Sequence, residues 1–167
     1  HYIMQNSPNK LIPASTVLAV RDRNDGIEVF MVVRHHQIDF ASGALVFPGG
    51  KVDKNDLNSK IRDHIISEQN LSDEELSYRI AAIRECYEEG NVLFACDENN
   101  SEILSDGKLA KLTTWREKFN NRQGSMYEFA VHEKLKFTVD NLIPFAHWIT
   151  PKTVSYTHLT LPTTTIV

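Results

Sequence analysis

Glu85, Glu88 and Glu89, with Arg84 beside them, crowd three carboxylates and a guanidinium into little more than one helical turn. Residues three and four apart are neighbours on a helix, and like charges there cost roughly 0.2–0.5 kcal/mol per pair. The turn also ends a helical pattern, where the macrodipole disfavours each further anion by about 0.3–1 kcal/mol. A sequence shaped by stability alone would place lysine there. A divalent cation such as Mg²⁺ or Mn²⁺ relieves the conflict, because it takes a few hard oxygen ligands and leaves its other positions to water and phosphate. Taken alone, the turn reads equally well as a solvated acidic helix end. Phe47-Pro48-Gly49-Gly50 shifts the balance. A strand running into a glycine bend can bring its backbone close to a ligand and aim a carbonyl at the same ion.

The elements that would position these residues follow from periodicity. Ser72 with Glu75 three residues on is a capping box, and a helix is expected from there to about Glu89. Leu76, Ile80, Ile83 and Tyr87 fall on its packing face and the three glutamates on the other arc. Gly90-Asn91 suits a left-handed C-cap. Residues 14–20 and 27–33 read as a strand hairpin about Asn24-Asp25-Gly26, and the second run is apolar enough to expect burial on both faces. Arg34, the first charge after that run, is a candidate contact for an anionic substrate. His35 and His36 read as loop histidines, since adjacent side chains at a strand end diverge.

Residues 51–71 are polar and read as an inserted excursion with a short helix near 61–66. Later come a short apolar strand or buried turn at 92–95, a helix over 106–120 with Leu109, Leu112, Trp115 and Phe119 as its packing stripe, and a weaker helical pattern at 125–135. A strand follows at 142–150, in which Pro144 demands a bulge or an edge.

At 167 residues and 41% hydrophobic, the chain suits one domain with a core of its own. Eighteen Lys and Arg against 22 Asp and Glu give a net charge of −4, which offers no footprint for nucleic acid or an anionic membrane surface. Cys86 and Cys96 form no metal or redox motif and read as reduced thiols, so the expected location is cytoplasmic. The first residue is His, so a missing start and a lost targeting segment are allowed for. From Val154 on there is no Asp, Glu, Lys or Arg, and the text resembles the in-frame translation of a sequencing adapter. Residues 154–167 are therefore expected to be a read-through tail on a truncated gene fragment.

Gly50 and the run Arg84-Glu85-Cys86-Tyr87-Glu88-Glu89-Gly90-Asn91-Val92 resemble the two halves of the signature of the Nudix hydrolases, G-x5-E-x7-R-E-U-x-E-E-x-G-U with U apolar. Asp56 stands where the first glutamate belongs, residues 57–83 stand where seven are usual, and Asn91 replaces the second glycine. This looks like the subgroup with an insertion inside the box, to which some peroxisomal CoA diphosphatases belong. The resemblance covers most of residues 14–151, with only the box halves specific.

It implies an α/β (α+β) fold, an α/β/α sandwich with a mixed sheet, spanning residues 14–153 after a lead-in of 1–13, with an insertion at about 57–79 and C-terminal elements missing. It further implies hydrolysis of a small-molecule diphosphate, CoA or acyl-CoA first among candidates, with Mg²⁺ or Mn²⁺. By position, Gly50, Glu85, Glu88 and Glu89 would hold metal, Arg84 would orient a carboxylate, and Glu85 or Glu89 would be the base. Asp53 and Asp56, with Arg34, are expected near substrate. The rival readings are an inactive Nudix-like binding module and a purely structural acidic helix.

Overall fold

The computed structural model describes residues 11–33, 43–99, 101–102, 104–149 and the backbone of 159–166. The first strand, β1 (Ile12–Arg23), turns at Asn24-Asp25 into β2 (Gly26–Phe30), which returns antiparallel in the register Val20↔Val29. Gly26 sits at φ 142°, where a side chain is strained, so the expected hairpin closes on the one residue suited to it. The expectation that the second strand is buried on both faces is corrected: Ile27 is 70% and Val29 48% exposed. Ile27 and Val29, two residues apart, share one face of this outer strand, and that face lacks a covering layer among the described residues. Its Phe30 ring does pack inward, against Gly90 of the main helix.

A two-stranded pair, β3 (Val32–Val33) with β4 (Leu45–Val46), follows, then β5 (Gly49–Lys51), which runs antiparallel to the first part of β1. Two 3-10 turns, Lys54–Leu57 and Ser59–His64, lead to β6 (Ile65–Ile66) and to the long helix α1 (Asp73–Gly90). Beyond it lie β7 (Ala95–Asp97), α2 (Asp106–Lys111), α3 (Thr113–Asn120), α4 (Met126–Glu133), β8 (Leu135–Thr138) and β9 (Leu142–Ile149). The single helix expected over 106–120 is thus broken at Leu112, whose buried side chain joins the core.

The last strand, β10 (Leu159–Ile166), lies parallel to β1 and antiparallel to β9, giving the mixed sheet order β2-β1-β10-β9 with β5 also on β1. It falls inside the tail expected to be adapter-derived; its pairing is carried by main-chain groups that any extended segment offers. Opposite it, the register slips so that Thr163 faces Ala146 and Thr164 faces Pro144. Pro144 therefore sits next to a bulge, in a strand that is also the sheet edge.

The second sheet, β6-β8-β7, joins a parallel and an antiparallel pair. The polar stretch 51–71, expected as an inserted excursion, thus contributes to the sheet and the core. β6 pairs with β8, Ile61 and Leu71 are buried in the core, and Asp140 accepts from the Ser67 hydroxyl at 2.6 Å and the Glu68 N–H at 2.7 Å. Buried Arg79 closes the same seam by donating to the Val139 carbonyl and the Gln69 side chain, both at 3.0 Å.

α1 is central to this packing. Leu76, Ile80, Ile83 and Tyr87 are all buried, and the Tyr87 ring stacks 5.4 Å from Phe129 while its hydroxyl donates to the Leu112 carbonyl at 2.6 Å. Trp115 belongs to this aromatic cluster too, its indole N–H held by Glu133 at 2.8 Å. Each fully buried ring contributes roughly 1.5–3 kcal/mol by area alone. No described helix is long and apolar enough to cross a membrane.

Candidate active site

The two ends of α1 are built as the sequence reading expected. Ser72 accepts from the Glu75 N–H at 3.2 Å and the Glu75 carboxylate accepts from the Ser72 N–H at 2.9 Å, closing the capping box. At the other end Asn91 adopts the left-handed conformation, φ 54°, and its N–H and that of Val92 return to the carbonyls of Tyr87 and Cys86. Asparagine is among the few residues that enter this region at little cost. The last turn of α1, which carries the three glutamates, is therefore held in register.

β5 brings the glycine pair to that turn. Its register on β1 sets Gly49 opposite Thr16 and Gly50 opposite Ser15, and the Ser15 hydroxyl donates to the Tyr78 carbonyl at 2.8 Å, fixing β1 to α1. The glycines are extended here, which corrects the expected bend: space, not a left-handed turn, requires them. A Cβ on Gly49 would lie 2.4 Å from the Ser15 carbonyl oxygen, and one on Gly50 only 2.3 Å from Glu85 Oε1. The Gly49 N–H donates to Glu89 Oε2 at 3.1 Å.

Arg84 ties the remaining acids together. Its Nε donates to Asp56 Oδ1 at 3.0 Å and its Nη2 to Asp56 Oδ2 at 2.9 Å, a bidentate pair. Nη1 donates to Glu85 Oε1 at 2.8 Å and Glu88 Oε1 at 3.0 Å, and Nη2 also to the Lys51 carbonyl at 2.9 Å. A guanidinium has five N–H groups, and these contacts use them all. Arg84 is thus a positioning residue rather than a group free to meet substrate. Asp56, expected near substrate, lies among the residues lining the cleft with its carboxylate turned to Arg84. Its side chain is only 1% exposed, and besides Arg84 it accepts the Asp53 N–H at 2.8 Å. Asp53 caps the same 3-10 turn, accepting from the Asn55 N–H at 2.9 Å, and stays exposed at the rim of the cleft. Arg34, His35 and His36 lie outside the described residues.

Burial governs the charge states. It pushes the Glu85 carboxyl up to about 7 against the pull of Arg84, and raises Glu88 in the same way. It also raises Asp56, again opposed by Arg84. For Arg84 burial works the other way, but Asp56, Glu85 and Glu88 together hold its guanidinium above the ordinary value.

Two contributors were not legible in the sequence. α1 carries no basic residue in its last turn, and Arg116 of α3 supplies one, donating through Nε at 3.3 Å and Nη2 at 2.8 Å to the Glu88 carbonyl. That contact satisfies an orphan carbonyl and offsets the negative end of the helix dipole. The connection between α3 and α4 forms the second wall of a cleft of about 760 Å³, where Asn120, Arg122 and Ser125 face the segment from Lys51 to Asp56 along with Glu85 and Glu88. The residues lining this cleft do not include the segment 57–79.

Whether these residues suit a divalent cation is a matter of donor chemistry. Among the described residues no three His, Cys, Asp or Glu side chains converge as a preformed cage, because Glu85 and Glu88 each turn an oxygen to Arg84 and Glu89 turns one to Gly49. Mg²⁺, however, keeps several waters and needs only one or two carboxylates directly. The missing Cβ of Gly50 lets the Glu85 carboxylate lie directly against the Gly50 backbone. Hard oxygen donors on one helical turn beside a backbone strand fit such an ion.

Comparison of the backbone with solved structures finds a NUDIX hydrolase from Alicyclobacillus acidocaldarius, with a TM-score of 0.63, 22% sequence identity, and coverage of 95% of this chain and 69% of that one. The chain has the Nudix fold. No family model matches it. Among curated proteins, the acyl-coenzyme A diphosphatase NUDT19 of Xenopus laevis is 25% identical over 159 aligned positions. That alignment takes in 74% of this chain and spans 42% of the relative's length. Within this fold Gly50 meets Glu85, and Asp56 pairs with Arg84.

Proposed function

We propose that the chain carries the catalytic box of a metal-dependent hydrolase that cleaves a diphosphate linkage in a nucleoside-diphosphate-type substrate, with CoA or acyl-CoA the first candidate. The observation that carries this reading is the convergence of Gly49 and Gly50 on Glu89 and Glu85 at the end of α1. The CoA-type substrate is suggested by the amphibian acyl-coenzyme A diphosphatase. Gly50, through its carbonyl, and Glu85, Glu88 and Glu89 would hold Mg²⁺ or Mn²⁺. Bound there, the ion would offset phosphate charge and acidify the attacking water.

The chain's own residues supply the rest. Arg84 fixes one oxygen each of Glu85 and Glu88, so their second oxygens remain for ligand, and Arg116 holds the turn on which Glu88 sits. Glu85 or Glu89 is the base in this reading, a carboxylate of the same turn that accepts the proton of the attacking water. Water oxygen bonds to one phosphorus, its proton passes to that carboxylate, and the bridging oxygen leaves with the other phosphate. Asp53 at the rim would contact substrate or a second ion. Residues 14–153 form the domain in this proposal and 154–167 are adapter-derived; natural coding sequence at the latter positions in the gene would contradict that division.

One observation favours a second reading, a Nudix-fold module that binds nucleotides without cleaving them: Arg84 already neutralises Glu85 and Glu88 without an ion. A hydrolysis screen with Mg²⁺ or Mn²⁺ over CoA, NADH and a diadenosine polyphosphate separates the two. The hydrolase reading expects phosphorylated products that require the metal and disappear with chelator. Binding without products from any of the three supports the module.

A further inference from the structure

The cleft holds more cationic capacity than the carboxylate turn uses. Arg84 spends all five N–H groups on protein acceptors, whereas the side chains of Lys51, Lys54 and Arg122 line the same cleft, exposed, with no hydrogen bond or ion pair among the described residues. The chain as a whole is acidic, at −4, so three unpartnered cations around one cleft are not a by-product of a basic surface. Arg122 is also presented deliberately. It sits at φ 55°, a left-handed conformation uncommon for arginine. The loop that imposes it is pinned by the N–H groups of Asn121, Arg122 and Gln123 donating to the carbonyls of Glu117, Phe119 and Lys118 at 3.1, 2.7 and 2.7 Å. Gly124, at φ 80°, then lets the chain turn against Trp115.

We propose that Arg122 and Lys54 form a subsite for a phosphomonoester on the substrate, distinct from the diphosphate that is cleaved. A phosphomonoester carries close to two negative charges and three acceptor oxygens. The planar fork of Arg122 suits two of those oxygens, and the ammonium of Lys54 adds a point charge. The subsite deepens the diphosphatase reading, on which it rests for the position of the cleaved group. It makes the cleft selective for nucleotides phosphorylated a second time on the sugar over those with the diphosphate alone.

The test is equilibrium binding of adenosine 3′,5′-bisphosphate and of AMP to the wild-type chain, Arg122→Gln, Arg122→Lys and Lys111→Gln, by calorimetry at low ionic strength. Wild type should prefer the bisphosphate by about tenfold or more, the lower range for a charged hydrogen-bonded contact at an exposed site. Arg122→Gln should bring the ratio near one, and Arg122→Lys should leave an intermediate ratio because it keeps charge without the fork. Lys111→Gln, an equal loss of charge outside the cleft, should keep the wild-type ratio. A wild-type ratio near one, or a preference that survives Arg122→Gln, overturns the subsite. Metal-dependent turnover of CoA and dephospho-CoA by the wild type, measured alongside, reports on the diphosphatase reading separately. Absence of turnover sinks that reading while the binding ratio still decides the subsite.

Discussion

Replacing Asp56 by alanine tests the buried ion pair beneath the carboxylate turn. Asp56 accepts both arms of the Arg84 bidentate contact and the Asp53 N–H, and its side chain is 1% exposed. Removing one partner of a buried pair costs about 3–5 kcal/mol, because the other charge is left without compensation. Arg84 keeps Glu85 and Glu88, so the lower end applies, about 3 kcal/mol. For a chain of this size each kcal/mol moves the midpoint by roughly 2–4 °C, giving a fall of roughly 6–12 °C in thermal melts followed by circular dichroism. Asp56→Asn keeps an acceptor for Arg84 in nearly the same volume and should lose about half as much. In Asp56→Ala the released N–H groups turn to the acceptors that remain, the Lys51 carbonyl, Glu85 and Glu88, so Mn²⁺ affinity should drop several-fold as well. A melting midpoint for Asp56→Ala within about 2 °C of wild type would refute the claim that this pair is what holds Arg84.

Two further outcomes follow from the geometry. In Gly50→Ala the new Cβ would stand 2.3 Å from Glu85 Oε1, so the carboxylate must swing off Arg84. We expect a loss of about 1–3 kcal/mol from this overpacking together with loss of metal-dependent turnover, and unchanged melting would show that the cradle has room. Burial holds Glu85 at about 7 against an ordinary value of 4.5. Between those values the folded protein retains a proton that the unfolded chain has released, so without divalent cations stability should fall as pH rises from about 4.5 to 7, by up to roughly 3 kcal/mol. Glu85→Gln should flatten that slope, and identical pH dependence in both proteins, measured with chelator present, would contradict the assignment.

What the sequence disclosed is mostly local. The Ser72 and Glu75 box, the run of α1 to Gly90 and the left-handed cap at Asn91 are set within a few residues of chain, and all appear as read. Pro144 likewise marked a bulge and an edge because proline lacks the N–H that a central ladder needs. Counting from Gly50 to Asp56 located a partner for the box but not its role, since burial against Arg84 comes from the packing of a 3-10 turn on α1. Arg116 and Arg122 were invisible for the same reason. Their spacing from Glu88 and Glu85 carries no period, and only the packing of α3 brings them near. The apolar run at 27–33 misled because a sequence pattern records that a strand is apolar, not whether anything covers its outer face. The packing of residues 51–71 was hard to read for the opposite reason: Ile61 and Leu71 are few among polar neighbours, yet they lie in the core where β6 pairs with β8.

The central claim is that the acidic turn at the end of α1 performs metal-dependent diphosphate hydrolysis. Glu88 tests it most directly, since its carboxylate is anchored by Arg84, its carbonyl by Arg116, and its side chain lines the cleft. The measurement is release of phosphorylated product from CoA in the presence of Mg²⁺ or Mn²⁺ by the wild type and by Glu88→Gln, which preserves size and a hydrogen-bonding oxygen while removing the charge. The account predicts turnover in the wild type that vanishes with chelator and drops roughly a hundredfold or more in the variant, at similar thermal stability. Equal turnover by the two proteins would contradict it.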